Sequence, residues 1–233
     1  MTGGLVYGYR YGIRIVNLGS MQVSTLNGVA WDGVSTVLSF EGGTFPATVH
    51  MIGGYVWSYR GTASDANSAA DYVINFSGSC TGGNIGIGTI DFEGVDFANS
   101  KGGILNFQTN CLRSAGVHSN AFRAWGQSTT HTTYYGLVYQ GPPLDVASNR
   151  FDSNPVSGST MQCILSYGGG NISGNAFNGC NNAITWLGST AVNITGNYSY
   201  NSTAVPITGS GTLLQENGNF WDVALTIPTA TTC

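Results

Sequence analysis

Hydrophobic and polar residues alternate along short stretches of this chain. In NISGNAF, residues 171–177, the side chains of Ile172 and Ser173 point to opposite sides of an extended backbone, and Gly174 and Asn175 then interrupt the alternation. The same reading applies to NAITWLG at 182–188. Short apolar and polar alternation bounded by Gly and Asn predicts β-strands of four or five residues that are separated by tight turns.

One phrase built on Gly-Asn returns at equal intervals. ISGNAF begins at Ile172, ITGNYS at Ile194 and ENGNFW at Glu216, so successive copies start 22 residues apart. Looser copies end at Phe122 and Phe151, and weaker outlines lie at 89–97, 48–57 and 21–31. A repeat of this length indicates stacked units. We count about eight units without a linker, which predicts one domain over residues 1–233, with its best repeats at 117–221 and an end segment at 222–233.

Stacking the units explains the repeated Gly-Asn. A short strand buries a face only when neighbouring units join it at about 4.8 Å into a continuous parallel sheet, and the chain then winds as a solenoid. Gly tolerates the left-handed backbone angles of a sharp corner. Stacking would also place Asn175, Asn197 and Asn219 one above another, where their side-chain amides can form a hydrogen-bonded ladder.

Composition narrows the possible classes of protein. Charged residues make up only 8% of the chain, which disfavours surface helices, whereas 42% hydrophobic residues supply a core and argue against disorder. The net charge is −4 and the seven Lys and Arg residues are scattered, so nucleic-acid binding is not expected. The sequence also contains no apolar run of about 18 residues and no pattern of a secretory signal, which predicts synthesis in the cytoplasm and no membrane span.

The five cysteines give no sign of a metal or cofactor. They lack CxxC spacing and paired histidines, so we expect neither a metal site nor any other cofactor. Their odd number also argues against a full disulfide framework, and the sequence favours free, buried thiols. The five are Cys80, Cys111, Cys163, Cys180 and Cys233.

The repeated phrase resembles the right-handed parallel β-helix repeat of pectate-lyase-like proteins, with the best agreement over residues 117–221. The Gly-rich, aromatic-rich and weakly charged coils are most similar to the β-helical body of a bacteriophage tailspike. The resemblance implies an all-β, single-stranded right-handed parallel β-helix of about eight coils, assembled as a parallel homotrimer. It further implies binding, and often cleavage, of a bacterial surface polysaccharide such as a capsule or O-antigen. Such a protein is made in the host cytoplasm and acts in the virion tail, outside the cell; a non-viral relative would be secreted.

Three acids lie close together in TIDFEGVDF at 89–97, and we take Asp91, Glu93 and Asp96 as the candidate catalytic residues. Ile90 and Phe92 would point to the core, which places Asp91 and Glu93 on the outer face, about 6.6 Å apart along the strand. That spacing is compatible with the carboxyl separation of about 6.5–9.5 Å in inverting glycosidases. Two alternatives remain open. In the first, the acids are solvated or pair with Arg123 of an adjacent coil. In the second, a site combines acids from different coils, drawn from Asp65, Asp71, Asp145 and Asp152.

A polysaccharide lyase acting on polyuronides is the second enzymatic hypothesis. It needs a base that removes a proton beside the uronate carboxylate and a cation that stabilises the resulting anion. Two sets of residues could supply these groups: His118 with Arg113 and Arg123, or His131 with Tyr134 and Tyr135. No Asp or Ser stands at a spacing typical of a catalytic triad.

Aromatic residues provide candidates for substrate binding, because flat sugar faces stack on Trp and Tyr rings. The same rings could instead fill the core of the solenoid or a trimer interface. Many of them lie in or near the two longest insertions, at 58–72 and 124–143, and loops often carry function. The candidates are Trp57, Tyr59, Trp125, Tyr134, Tyr135 and Tyr139. A structural or adhesive solenoid without a catalytic site is the remaining alternative.

Overall fold

The structure is a computed structural model in which every regular element of the described chain is a β-strand. No described segment is a helix of the length and apolarity that crossing a membrane requires. The described residues are 1–15, 23–41, 48–58, 72–77, 79–80, 88–98, 100, 102–127, 133–141, 143–153, 159–188, 190–202, 204, 206–209 and 213–222. The end segment beyond Asp222 lies outside them.

The strands form three parallel sheets, each with eight strands. Sheet A contains β3 (Val23–Asn27), β6 (Thr48–Ile52), β9 (Gly88–Glu93), β12 (Leu112–His118), β15 (Leu144–Ala147), β18 (Gly170–Ser173), β21 (Val192–Thr195) and β24 (Leu213–Asn217). Sheet B contains β1 (Leu5–Tyr7), β4 (Ala30–Asp32), β7 (Tyr55–Trp57), β10 (Asp96–Ala98), β13 (Ala121–Arg123), β16 (Arg150–Asp152), β19 (Ala176–Asn178) and β22 (Tyr198–Tyr200). Sheet C contains β2 (Tyr11–Ile15), β5 (Thr36–Phe40), β8 (Tyr72–Phe76), β11 (Gly103–Gln108), β14 (Thr133–Gln140), β17 (Thr160–Ser166), β20 (Asn182–Trp186) and β23 (Ile207–Gly209).

The chain visits the sheets in the order B, C, A, and each strand pairs in parallel with the strand three elements later. This is the all-β, right-handed type of parallel solenoid that the sequence predicted. The number of coils differs from the prediction of about eight. The described strands form about six turns of the solenoid.

The Gly-Asn phrase forms the corner between sheets A and B. Gly174 has a φ of 62°, a left-handed angle that a glycine adopts without steric cost. At the next position Asn175 is fully buried, and its Nδ2 donates to Oδ1 of Asn197 at 2.9 Å. The same bond joins Asn197 to Asn219, and Asn120 and Asn149 continue the row. The predicted amide ladder is therefore confirmed over five successive turns.

Inside the corner, aromatic rings stack along the solenoid axis. Phe97, Phe122, Phe151 and Phe177 occupy the inward position of successive strands of sheet B, with centroids 5.4, 4.5 and 5.2 Å apart. All four rings are fully buried. Burial of this area is the main favourable contribution to folding, and the ladder beside it fixes the register of the turns.

Four cysteines correct the prediction of free thiols. Cys80 is bonded to Cys111 and Cys163 to Cys180, with Cα atoms 5.2 and 5.9 Å apart, within the usual range for disulfides. Each bond joins neighbouring turns. The sequence argument failed because residues 31 or 17 positions apart become adjacent only once the chain has wound into turns. Cys233 lies outside the described residues.

We expect the disulfides to stabilise the stack. Replacing Cys163 and Cys180 together by Ser should lower the free energy of unfolding by about 2–4 kcal/mol, because the crosslink restricts the unfolded chain. Denaturant midpoints of wild type and variant, each with and without a reductant, provide the measurement. An unchanged midpoint in the variant would contradict the assignment of this bond.

Candidate functional site

The outer face of β9 carries the two central candidate acids. Ile90 and Phe92 are fully buried, whereas the Asp91 side chain is 36% exposed and Glu93 is exposed. The alternation along the strand sends the carboxylates outward because the apolar residues between them fill the core. The predicted outward placement of Asp91 and Glu93 is thus confirmed.

Asp91 belongs to a column of outward positions that runs along the solenoid axis on sheet A. In register, His50 of β6 pairs with Asp91, Asp91 with Gly116 of β12, and Gly116 with Asp145 of β15. Successive members of the column are therefore one strand spacing apart, about 4.8 Å. Gly116 therefore lies between two acids, Asp91 and Asp145.

His118 connects the two acids. Its Nδ1 lies 3.6 Å from Oδ1 of Asp91, and its Nε2 lies 3.4 Å from Oδ2 of Asp145. On the other side of Asp91, Nδ1 of His50 lies 3.7 Å from Oδ2. The imidazoles and carboxylates alternate across four turns, and we name this group the acid–histidine cluster: His50, Asp91, His118 and Asp145.

Gly116 provides the space in which the cluster packs. A methyl group on its Cα would lie 2.6 Å from Oδ1 of Asp91 and 3.0 Å from Cε1 of His118. Both side chains therefore lean over the glycine. Oδ1 of Asp91 is shielded from solvent and accepts no hydrogen bond from a described residue.

Glu93 lies beside the cluster in a different environment. It pairs in register with His118, and within the described chain its carboxylate makes no ion pair or hydrogen bond. Asp91, Glu93 and Asp145 carry three negative charges on these strands. The exposed Arg113 of β12 carries one positive charge, so carboxylates dominate the charge of this face. An anionic polymer would be repelled here.

Asp96 is not brought into the cluster. It lies past the corner on β10 of sheet B, where Nε of Arg123 donates to its Oδ1 at 2.8 Å and Nη2 of Arg123 donates to its Oδ2. Hydrogen bonding to Asp96 raises the pKa of Arg123. The alternative interpretation of these acids, pairing with Arg123 of the adjacent coil, therefore holds for Asp96 and not for Asp91 or Glu93.

The candidate aromatic residues divide by burial. Trp57 is 40% exposed and Tyr135 is half-buried, with burial as the main cause of a raised pKa of its hydroxyl. Three others correct the expectation of outward rings, because they lie in the interior. Trp125 packs edge-on against Phe151, and Tyr139 takes the register position of the inward-facing Phe107.

Tyr134, the third of these, is 3% exposed, and burial raises the pKa of the Tyr139 hydroxyl. The physical reason is that both tyrosines belong to β14, a strand of sheet C, rather than to a surface loop. Tyr59 lies outside the described residues.

The other chemical arrangements are not assembled. His118 contacts acids rather than arginines, Arg123 is held by Asp96, and Arg113 makes no ion pair with a described acid. Asp152 is paired with Arg150 on sheet B. His131, Asp65 and Asp71 lie outside the described residues. Of the acids considered from other coils, Asp145 alone is brought to Asp91 among those described.

Sequence reasoning missed His50 and Gly116. Both are found only when the turns are aligned with their unequal lengths, which places His50 one turn before Asp91 and Gly116 one turn after it.

Among the described residues, no group of three or more His, Cys, Asp or Glu side chains has a geometry that could hold a metal ion. Comparisons with protein-family models, with characterised proteins and with solved structures give no match for this chain.

Proposed function

We propose that this chain is a tailspike-like protein that binds a bacterial surface polysaccharide on the outer face of sheet A and hydrolyses it. The observation that carries the proposal is the pair of outward carboxylates on one strand in two different environments. Asp91 is flanked by the imidazoles of His50 and His118, whereas Glu93 is exposed beside them. Two carboxyl groups with distinct surroundings are what glycoside hydrolysis requires.

The reaction assigns one role to each acid. The Glu93 carboxyl donates its proton to the glycosidic oxygen as the bond from that oxygen to the anomeric carbon breaks. A water molecule attacks the anomeric carbon and gives its proton to the Asp91 carboxylate, which the flanking histidines hold in place. The products are a new reducing end and a free hydroxyl group. A spacing of about 6.6 Å between Asp91 and Glu93 along the strand leaves room for the water and predicts inversion at the anomeric carbon.

The charge of the face supports a hydrolase rather than a lyase. A polyuronide lyase must bind a carboxylate and stabilise an anion, which calls for cations beside its base. His118 instead lies between Asp91 and Asp145. The polysaccharide that suits this face is therefore neutral or carries amino groups.

The solenoid fold and its disulfides favour a site of action outside the cell. The parallel sheets present long rows of outward side chains to a polymer, and the two disulfides persist in an oxidising environment. Location in a virion tail and assembly as a parallel homotrimer belong to the same proposal. Sedimentation or light scattering of the purified chain would test the trimer.

The test of the function is release of reducing ends. Purified protein is incubated with a panel of capsular and O-antigen polysaccharides, and new reducing ends are counted, with the anomeric configuration of the first product followed by NMR. A variant with both Asp91→Asn and Glu93→Gln controls for contaminating hydrolases. Glu41→Gln controls for loss of a carboxylate away from sheet A, because Glu41 follows β5 and pairs with Arg14. Cleavage by wild type and Glu41→Gln alone supports the proposal, whereas cleavage by all three, or by none, contradicts it.

We expect Gly116→Ala to slow cleavage about 10- to 100-fold, because the new methyl group would displace Oδ1 of Asp91 by a fraction of an ångström or more. The charge of the site stays the same. Ser114→Ala, two residues earlier on the same strand, is the matched control and should retain wild-type rates. Initial rates of reducing-end release and thermal melts of both variants provide the measurement. Equal rates for the two variants at equal stability would show that the space over Gly116 has no part in the reaction.

A further inference from the structure

The outer face of sheet B presents a second surface with a different composition. Each strand from β7 to β22 contributes its first and third residues outward, and the residue between them points to the aromatic core. The six strands span five spacings of about 4.8 Å, or roughly 24 Å along the solenoid axis. We name this face the sheet B surface: the first and third residues of β7, β10, β13, β16, β19 and β22.

Aromatic pairs stand at both ends of the sheet B surface. On β7 the rings of Tyr55 and Trp57 have centroids 6.0 Å apart, and Trp57 is 40% exposed. On β22 the rings of Tyr198 and Tyr200 are also 6.0 Å apart, with an angle of 14° between their planes, and Tyr198 is 47% exposed. Each end therefore exposes part of an aromatic side chain, Trp57 on β7 and Tyr198 on β22.

Between the aromatic pairs, short side chains alternate with planar charged groups. The short side chains are Ala98, Ala121 and Ala176, of which Ala98 and Ala176 are buried. Arg123 is paired with Asp96, and Nε of Arg150 lies 2.5 Å from Oδ2 of Asp152. Exposed ion pairs of this kind add little to folding stability. They do present hydrogen-bond donors and acceptors on the outer face of sheet B.

We propose that the sheet B surface binds a neutral, hydroxyl-rich polysaccharide chain along the solenoid axis and does not cleave it. Aromatic rings provide stacking for the apolar faces of sugars, while guanidinium and carboxylate groups exchange hydrogen bonds with sugar hydroxyls. The charges of the two ion pairs cancel, so an anionic or cationic polymer gains nothing there. The span from β7 to β22 accommodates several linked sugar rings at once.

Composition favours a glycan over a second copy of this chain as the occupant. The central part of a protein–protein interface is depleted of charged residues, whereas the centre of the sheet B surface is occupied by four of them: Asp96, Arg123, Arg150 and Asp152. Its aromatic residues lie at the two ends instead. This distribution suits a polymer that stacks at two places and hydrogen-bonds between them.

The sheet B surface adjoins the acid–histidine cluster across the Gly-Asn corner. The chain passes from Glu93 on sheet A to Asp96 on sheet B through two residues, and from Ile52 to Tyr55 in the same way one turn earlier. A chain bound on sheet B would keep the polymer beside the cluster between cleavage events. The inference extends the proposed function but stands without cleavage, because binding on sheet B needs none of the acid–histidine cluster.

Tryptophan fluorescence tests the proposal directly. Of the five tryptophans Trp57 is exposed, Trp221 is half-buried and Trp31, Trp125 and Trp186 are buried. The variant with Asp91→Asn and Glu93→Gln is titrated with the purified capsular and O-antigen polysaccharides, so that no polymer is cut. We expect one of them to shift the emission, and Trp57→Phe in the same background to remove most of the shift while binding persists by biolayer interferometry.

Alanine variants then locate the site. In the same background, Trp57→Ala and Tyr198→Ala should each weaken binding about tenfold. Tyr167→Ala removes an exposed ring outside the surface and should leave the affinity unchanged. Equal affinity for all three variants, or no binding by any polysaccharide, overturns the proposal. It is also overturned if Trp57→Ala and Tyr198→Ala reduce the molecular mass of the assembly without weakening binding, because the surface would then join copies of the chain.

The two proposals can fail separately. If wild-type protein cleaves a polysaccharide whose binding does not depend on Trp57 or Tyr198, the sheet B surface is wrong and the proposed function stands. If binding depends on these residues and no polysaccharide is cleaved, the proposed function is wrong and the sheet B surface stands.

Discussion

Replacing Asn175 by Ala is expected to lower the free energy of unfolding by about 2–6 kcal/mol, since buried polar groups left without partners cost about 1–3 kcal/mol each. Oδ1 of Asn175 accepts from both the backbone N–H and the side-chain Nδ2 of Asn149, at 2.9 and 3.0 Å. Its own Nδ2 donates to the carbonyl oxygen of Val146. The substitution therefore strands the buried backbone N–H of Asn149 and removes a donor from the buried carbonyl group of Val146. Nδ2 of Asn149 keeps the carbonyl oxygens of Val117 and Ala147 as acceptors.

Asn171→Ala is the matched control for this ladder variant. Asn171 has the same side chain in the same repeat, but it is exposed on sheet A, and its one hydrogen bond to Asn193 is 3.3 Å long. Chemical denaturation of both variants should show a large loss for Asn175→Ala and a loss within about 0.5 kcal/mol for Asn171→Ala. Similar losses for the two would mean that the ladder does not hold the turns together.

The repeat explains why the fold was predictable. The phrase at Ile172, Ile194 and Glu216 contains both an alternating strand and a corner, and the physical demands of stacking apply equally to every turn. A glycine with positive φ and an asparagine that bonds to its own copies are local requirements. They could therefore be inferred from spacing alone, and the structure confirms them at Gly174 and Asn175.

The site was predictable only in part. The alternation in β9 placed Asp91 and Glu93 outward, because a strand's period of two is local. The partners of Asp91 depend on register between turns of unequal length: His50 is 41 residues before it and His118 is 27 residues after it. No local pattern specifies which residue of a neighbouring turn falls opposite. The cluster thus became visible only in three dimensions.

Aromatic residues near insertions show the same limit. Trp125 and Tyr139 lie at the two ends of the insertion at 124–143, and a sequence rich in Gly, Thr and Tyr between them resembles a loop. Both rings are nevertheless buried, because the chain on either side of the insertion returns to the core. Trp57 and Tyr198, by contrast, are the outward members of strands whose central residues are buried. The exposure of Trp57 and Tyr198 therefore follows their phase in the short strands of sheet B rather than their distance from a loop.

The ladder has a consequence for the two proposed surfaces. It runs through the corner between sheets A and B, so it sets the spacing of both outer faces at once. The side chains of Asp91 and of Trp57 stand on strands that the same stack of turns supports. Rigid positioning of this kind favours catalysis and the binding of a long polymer, because little conformational entropy is lost on binding.

Asp91→Asn and Glu93→Gln should each reduce the rate of polysaccharide cleavage by about 10²–10⁴-fold, the usual contribution of a general acid or base. Both substitutions preserve side-chain size and remove the proton transfer. Asp91 lies between two histidines and Glu93 is exposed, and the two acids have different roles. The cleavage rate of each variant should therefore be restored by a different change to the assay. An aryl glycoside of the same sugar with a good leaving group needs no proton at its leaving oxygen, so it should restore the rate of Glu93→Gln. Azide, which can attack without a base, should restore the rate of Asp91→Asn.

The pattern of recovery distinguishes chemistry from structure. A variant that merely misfolds recovers with neither addition, and thermal melts would show its loss of stability. Recovery of Asp91→Asn by the aryl glycoside, and of Glu93→Gln by azide, would exchange the two roles while keeping the pair. If both variants cleave the natural polymer as fast as wild type, the outward carboxylates of β9 are a solvated edge of the sheet, and the acid–histidine cluster serves only to join its turns.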